Sequence, residues 1–490
     1  MARRFVPFIV FGVFVLYLAA PLKGLIAGPG DGFDLAAFRQ LPVSVNGRVQ
    51  PFDTAALISL QRIRGTNTVP AAAGQGRANG RTIPADAWLL EVLAKPEAAD
   101  ARPIFPVRER ALLAKLSLPA TRGAATTYLA FQDVRTKVAA VSKETERIAK
   151  MKDADRAPWE RELLTLRAKL IAYERLKNSV QPNSLLQHEA KDAPVAFAFA
   201  DELASYRNDL SDAHRIAERK RAGGTERLAV DTEQRLRTFS GKFEGVSRIG
   251  LVAMVPPRNP GDPREKWATT GTAIVESANG KRLSPSVAYV AGMTSAFAQG
   301  KPRVFNETLA KYGRWLTVQG YAPVVRQARL EAIYNALQPF ARAIAIYAVG
   351  LVLLGVAWYA GSRTLRRSAL PLVPLAFALH SAGLVFAFQL AGRPSGLTLA
   401  GWALALASLV LAVWRRSAGV AAAAAIGLVA LAASFALTPG GGAVIVRNVL
   451  TIDLLAAVAA AAIALGAAGA WDRLATSGAR SRSRRQAVTA

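Results

Sequence analysis

The last third of the chain holds five apolar runs in close succession, at residues 338–359, 370–391, 397–414, 418–437 and 450–471. A sixth, at residues 5–22, follows Ala2-Arg3-Arg4 at the start. Each run is about the 20 residues that a helix needs to cross a bilayer. Lipid offers no hydrogen-bond partner to the backbone, so runs of this kind are satisfied only as helices or closed barrels. The expected fold class is therefore all-α: a polytopic helical membrane protein with a large, mainly helical extracytoplasmic domain. Composition agrees with this. The 490 residues carry 62 Lys+Arg against 34 Asp+Glu, a formal charge of +28, yet 52% are apolar. A soluble nucleic-acid binder accounts for the charge but not for the hydropathy.

The charges in the links set an orientation. Arg363, Arg366 and Arg367, then Arg415-Arg416, then the arginines of the tail fall on the same side as Arg3-Arg4 if all six runs span. The opposite links, 392–396 and 438–448, hold only Arg393 and Arg447. The positive-inside rule then puts both termini in the cytoplasm and the long middle segment outside. In a bacterium this means a multi-pass protein of the inner membrane with a periplasmic domain. Four parts follow: an anchor at 1–24, an extracytoplasmic domain at 25–337, a five-helix bundle at 338–471 and a basic tail at 472–490. No nucleic-acid partner is expected, because topology already explains the basic tail. A cleaved signal peptide is the rival reading of the first segment, with Leu18-Ala19-Ala20 as small residues near its end. Its length and poor cleavage pattern favour a retained anchor.

In the middle segment, Leu163, Leu166, Leu170 and Tyr173 recur at helical spacing. Helical stretches are predicted over about 126–176 and 197–243, paired as a long antiparallel hairpin. Its charges read either as solvated faces or as an arm that docks a partner. Asp86 is expected near the N-terminus of a helix running through Trp88 to Leu93, and residues 284–337 as helix feeding into the membrane.

The chain has no cysteine, which excludes disulfides, thiolate metal sites, cysteine nucleophiles and covalent haem attachment to this chain. Only His188, His214 and His380 are available as imidazoles. No phosphate-binding loop, nucleotide-binding glycine pattern, nucleophile elbow or metalloprotease helix occurs. His380 lies at mid-depth in its span, where an ionisable group is costly and faces the bundle interior. It either hydrogen-bonds a neighbouring helix or, as neutral imidazole, ligates haem iron. Arg393 follows that helix and either pairs with a haem propionate or snorkels to headgroups. Asp453, in the first turn of the last span, reads as a cap or interfacial carboxylate, with a functional role as the alternative. Gly47 permits a turn flanked by Arg48 and Asp53 and stiffened by Pro51. That segment is either an ordinary loop with Asp53 as helix cap or a docking point near the membrane.

Several patches, in order, resemble the CcsA-type cytochrome c assembly proteins of System II that carry a large extracytoplasmic insertion. Asn46-Gly47-Arg48-Val49-Gln50-Pro51-Phe52-Asp53-Thr54 is similar to their G-R-x-x-P-L-D-T entry motif. Ala87-Trp88-Leu89-Leu90-Glu91 with Pro103-Ile104-Phe105 is similar to the next block, and Pro256-Pro257 before Trp267 to another. Glu331-Ala332-Ile333-Tyr334-Asn335 with Pro339-Phe340 resembles the E-x-x-Y-N…P-F entry to the membrane core. Leu379-His380-Ser381-Ala382-Gly383-Leu384, then Gly392-Arg393-Pro394, resembles the L-H-x-x-G-L…G-R-P helix. The resemblance implies haem delivery to apocytochrome c outside the membrane, haem b as cofactor and His380 as its ligand. Three departures matter. After Gly392-Arg393-Pro394 the family's V-x-N-x-Y-E is missing, and Ser395-Gly396-Leu397-Thr398-Leu399 stands there. The tryptophan-rich haem loop is missing, and Asp453 stands where an external haem-ligating histidine is expected. The chain thus reads as the front part of a split synthase or as a divergent accessory subunit. It is not expected to be catalytic alone. Its partner would be a second subunit, either CcsB/ResB-like or the missing CcsA half. The alternative is a non-haem membrane scaffold whose external helices dock another protein.

Overall fold

The computed structural model describes residues 5–26, 30–71, 81–121, 123–182, 195–262, 264–391 and 396–415. The chain is mostly helical, with three small antiparallel sheets. It divides into two units, one of Gly28–Ala332 and one of Met1–Ala27 with Ile333–Ala490. Two helical segments among the described residues are long and apolar enough to cross a membrane, Pro302–Tyr359 and Arg363–Leu390; Val6–Pro21 is a shorter apolar stretch. The expected spans at 418–437 and 450–471 lie outside the described residues.

The Gly28–Ala332 unit is entered through a hairpin. Strand Pro42–Val45 pairs with Arg48–Pro51, Val45 facing Arg48, and Val252–Ala253 adds to the free edge of the first strand. Asn46 and Gly47 form the connection with φ of 52° and 84°. Both central residues are left-handed, as a two-residue turn matched to strand twist requires. Pro51 caps the helix Phe52–Arg64 with an extended backbone. Asp53 is therefore inside the first turn and is not the cap, which corrects the cap reading of this residue. Phe52, Ala55, Ala56, Leu60 and Ile63 bury one face of that helix. The left-handed Gly65 then ends it.

Two expectations for this unit need correction. Thr127–Ala130 is a strand paired with Pro103–Val107, so the stretch from 126 is not all helix. The antiparallel arm is also built differently. The helix Pro158–Lys177, with Leu163, Leu166, Leu170 and Tyr173 buried, packs on Val138–Ala149, Phe52–Arg64 and Ala85–Ala94. The arm itself is Val195–Arg221 against Val230–Ile249, both from the single predicted stretch 197–243. Gly223, at φ 92°, lets the chain reverse between them. Phe199 meets Phe243, Tyr206 stacks on Phe239, and Arg235 forms a bidentate pair with Asp209.

A buried polar triad ties this core together. Lys177 Nζ donates to Asp100 at 2.9 Å, and the Tyr173 hydroxyl donates to the other oxygen of that carboxylate at 2.8 Å. The ammonium also lies 4.5 Å from the Phe131 ring centre. Burial first, and then the Asp100 charge, push the Tyr173 hydroxyl well above its ordinary range.

In the other unit, the N-terminal helix Val6–Ile26 buries Val10 and Phe14 in the apolar core and leaves Phe8, Ile9 and Leu16 exposed. Pro21 sits inside this helix. Proline has no N–H, so the Tyr17 carbonyl four residues earlier loses its helical donor. Arg342 supplies a substitute. Its Nη1 donates to that oxygen at 2.9 Å, and its guanidinium lies 4.8 Å from the Tyr17 ring centre. Arg342 belongs to the helix Pro339–Tyr359, which begins after the left-handed Gln338.

Two outcomes are expected. Lys177→Met leaves Asp100 buried without its cation and should cost about 3–5 kcal/mol, read as a lower urea midpoint of the purified protein. Arg342→Ala should cost about 1.5–3 kcal/mol in detergent unfolding. In a Pro21→Ala background, where residue 21 regains its N–H, the same change should cost clearly less. Equal cost in both backgrounds would show that the guanidinium does not replace the missing donor.

Candidate functional site

The two units each bring together residues that are remote in sequence. In the unit of Met1–Ala27 and Ile333–Ala490, the helix Leu372–Ala391 carries His380. Its imidazole is 0% exposed. The ring meets Phe340 edge-on at 5.9 Å and Tyr347 at 6.4 Å. Those two residues are seven apart on the helix Pro339–Tyr359, two turns along one face. The Tyr347 hydroxyl is also buried and has no hydrogen-bond partner among the described residues.

Gly383, one turn after His380, permits this packing. A methyl group there would stand 2.5 Å from the Phe340 ring. The Phe340 ring is also held by Tyr334, which in turn contacts Phe386. Ser381 is fixed on a different neighbour. Its hydroxyl accepts from Trp402 Nε1 at 2.8 Å and donates to the Phe377 carbonyl at 2.9 Å. Trp402 stacks on Phe377 at 5.7 Å. The helix is thus locked in rotation from two sides, and His380 is kept against the aromatic wall.

A haem, were one bound here, would find in His380 the imidazole to hold its iron, and one of the groups that cover the ring would have to move.

In the Gly28–Ala332 unit a second cluster forms around Glu331, which is 6% exposed. Arg48 Nη2 donates to its Oε1 at 2.9 Å, and Thr54 Oγ1 donates to the same oxygen at 2.8 Å. Arg48 comes from the entry hairpin, Thr54 from the first turn of Phe52–Arg64, and Glu331 from the helix Ala322–Leu337. A carboxylate buried in this way needs such donors to remain charged. Gly47 makes the turn, Pro51 caps the helix, and the Asp53 amide donates to the Arg39 carbonyl at 2.9 Å.

Glu331 lies within the E-x-x-Y-N motif, but no pattern in the sequence marks it individually. A carboxylate next to the membrane-entry segment was its only signal. Tyr347 and Arg342 carried no pattern of their own, although proline at Tyr17+4 marks the carbonyl that Arg342 serves. His214 is half-buried on the arm helix Val195–Arg221. His188, Arg393 and Asp453 lie outside the described residues. Among the described residues no group of three or more His, Asp or Glu side chains is placed to hold a metal ion. The chain matches no family model, no curated protein and no solved structure.

The packing of Gly383 on Phe340 can be tested directly. Gly383→Ala should cost about 1–3 kcal/mol by overpacking, and Phe340→Leu in that background should restore part of it. Additive losses in thermal unfolding would show that the two residues do not share the contact.

Proposed function

We propose that this chain is a component of c-type cytochrome biogenesis in a bacterial inner membrane, handling haem at the outer side of the bilayer. The observation that carries the reading is His380, a single buried imidazole in an apolar unit, beside Phe340 and the partnerless Tyr347 hydroxyl. The ordered motif resemblance supports it. So does the meeting of two of those motifs, through Arg48 and Thr54, on Glu331. Haem b is the proposed cofactor, with His380 as the protein ligand to iron and Arg393 as a partner for a propionate. The topology that accompanies this reading has six spans, cytoplasmic ends and a periplasmic Gly28–Ala332 unit.

The chain is not catalytic alone on this reading. It acts with a second synthase subunit that brings the tryptophan-rich haem loop, and apocytochrome c is the eventual acceptor. With His380 as the single ligand from this chain, haem would be held weakly by this chain by itself, whether or not a partner subunit supplies another ligand.

The second reading, a scaffold without haem, rests on the arm. Val195–Arg221 and Val230–Ile249 present many charged side chains, and Lys242–Glu202 and Arg235–Asp209 bridge the two helices. Hydrogen bonds from Arg235 hold the Asp209 carboxyl below the usual carboxylate range.

Purification from a membrane with its bound partner, followed by absorption spectroscopy, separates the two readings. The haem reading expects a Soret band that His380→Ala abolishes and His188→Ala preserves. Added imidazole should restore the band in His380→Ala by filling the vacated position. Full haem content in His380→Ala, or a wild-type complex with no Soret band, would leave the scaffold reading.

A further inference from the structure

We propose that the short helix Arg363–Ala369 lies in the membrane interface and that its arginine face binds the phosphate headgroups of an anionic lipid leaflet. This rests on the proposed membrane insertion and goes beyond it, because insertion alone requires no specific headgroup.

The helix Pro339–Tyr359 ends at Ala360, and Gly361, at φ 61°, lets the chain turn away from it. The Ser362 hydroxyl then accepts the Leu365 amide at 3.3 Å and starts the short helix. Thr364, Leu365, Ser368 and Ala369 are buried, and Ser368 donates to the Thr364 carbonyl. Arg363, Arg366 and Arg367 are exposed. Their spacing of three and four residues places them on one face. The packed face thus holds three guanidinium groups at a fixed spacing.

Two further observations identify what that face meets. Trp358 and Tyr359, just before the turn, are 88% and 90% exposed. Amphipathic rings of this kind sit at headgroup level, with an apolar body and a polar tip. The second observation is charge. Residues 5–26 and 333–415 contain no Asp or Glu; in 333–490 only Asp453 and Asp472 occur, both outside the described residues. Among the described residues none of the three arginines has an ion-pair partner, whereas Arg48, Arg102, Arg147 and Arg235 of the other unit each hold a carboxylate. A planar guanidinium matches phosphate oxygens in bidentate fashion. Three of them on one face, beside two exposed aromatic rings, are complementary to an anionic bilayer surface.

The test uses the purified full chain in a neutral detergent, titrated separately with phosphatidylglycerol and phosphatidylcholine. The readout is the emission of Trp358, isolated by subtracting the Trp358→Phe spectrum. Phosphatidylglycerol should shift that emission to shorter wavelength and saturate, while phosphatidylcholine should not. Each arginine near an anionic surface is worth about five-fold in affinity, so Arg363→Gln with Arg366→Gln and Arg367→Gln should weaken the response by up to about a hundred-fold. The control pair Arg264→Gln with Arg303→Gln should leave it unchanged. An undiminished response in the folded triple variant overturns the proposal, as does equal saturation by phosphatidylcholine, by an RNA oligonucleotide or by an acidic peptide. Alkaline carbonate extraction separates this from the underlying reading. A chain that resists extraction but ignores headgroup charge defeats only the lipid site, whereas a chain that is extracted defeats membrane insertion and the lipid site together.

Discussion

The arrangement of the unit that contains the apolar helices depends on one constraint: polar groups taken out of water must be paired inside the protein. The Tyr17 carbonyl shows how literally this applies. Pro21 removes its helical donor, and a guanidinium from a helix more than three hundred residues away replaces it. The Tyr17 ring faces the same cation. Ser381 and Ser368 solve the same problem locally by bonding backbone carbonyls one turn earlier. The Tyr347 hydroxyl and the Gln338 side-chain oxygen are exceptions, buried without a hydrogen-bond partner among the described residues. The first of them lies beside His380.

The two units use charge in opposite ways. In Gly28–Ala332, carboxylates are paired and buried: Asp100 with Lys177 and Tyr173, Glu91 with Arg102, Glu331 with Arg48 and Thr54. The Asp100 and Glu331 clusters tie segments distant in sequence, and removing one partner of any of these pairs leaves an uncompensated charge. These pairs specify how the small sheets and helices fit together where apolar packing alone leaves choices. In the other unit, carboxylates are almost missing from the sequence, and the cations either pair with carbonyls and rings or stand on the surface. Long-range specificity there comes from shape: Phe340 fits over Gly383, and Trp402 over Phe377.

What the sequence made legible follows from this difference. Apolar runs of about 20 residues disclose helices because they are too long for strands, so Pro339–Tyr359, Leu372–Ala391 and Gly396–Arg415 were readable almost to their ends. The arm was not. Helical periodicity is the same whether a stretch is one helix or two, and only Gly223-Gly224 marked the reversal inside 197–243. The strand Thr127–Ala130 was hidden for a related reason: four residues are too few to show a period of two against one of 3.6. At the site, His380 was legible because an imidazole inside an apolar run is costly, and Arg48 and Thr54 because of their motif. Glu331 was not, since its partners lie 283 and 277 residues away and no local pattern records them.

The helix Ala322–Leu337 carries both Glu331 and, three residues later, Tyr334. On the first, the entry hairpin closes through Arg48. Against the second lie Phe340 and Phe386, and Phe340 is also the ring that covers His380. Moving Phe340 away from the imidazole must therefore disturb the Tyr334 contact as well as the fit over Gly383. On the haem reading, the cover on His380 is not an independent side-chain rotamer. It is one element of an aromatic cluster in which three helices share contacts, and close packing makes such clusters shift as sets. Access of iron to His380 is then a property of the cluster, and its opening requires an agent that competes for these contacts.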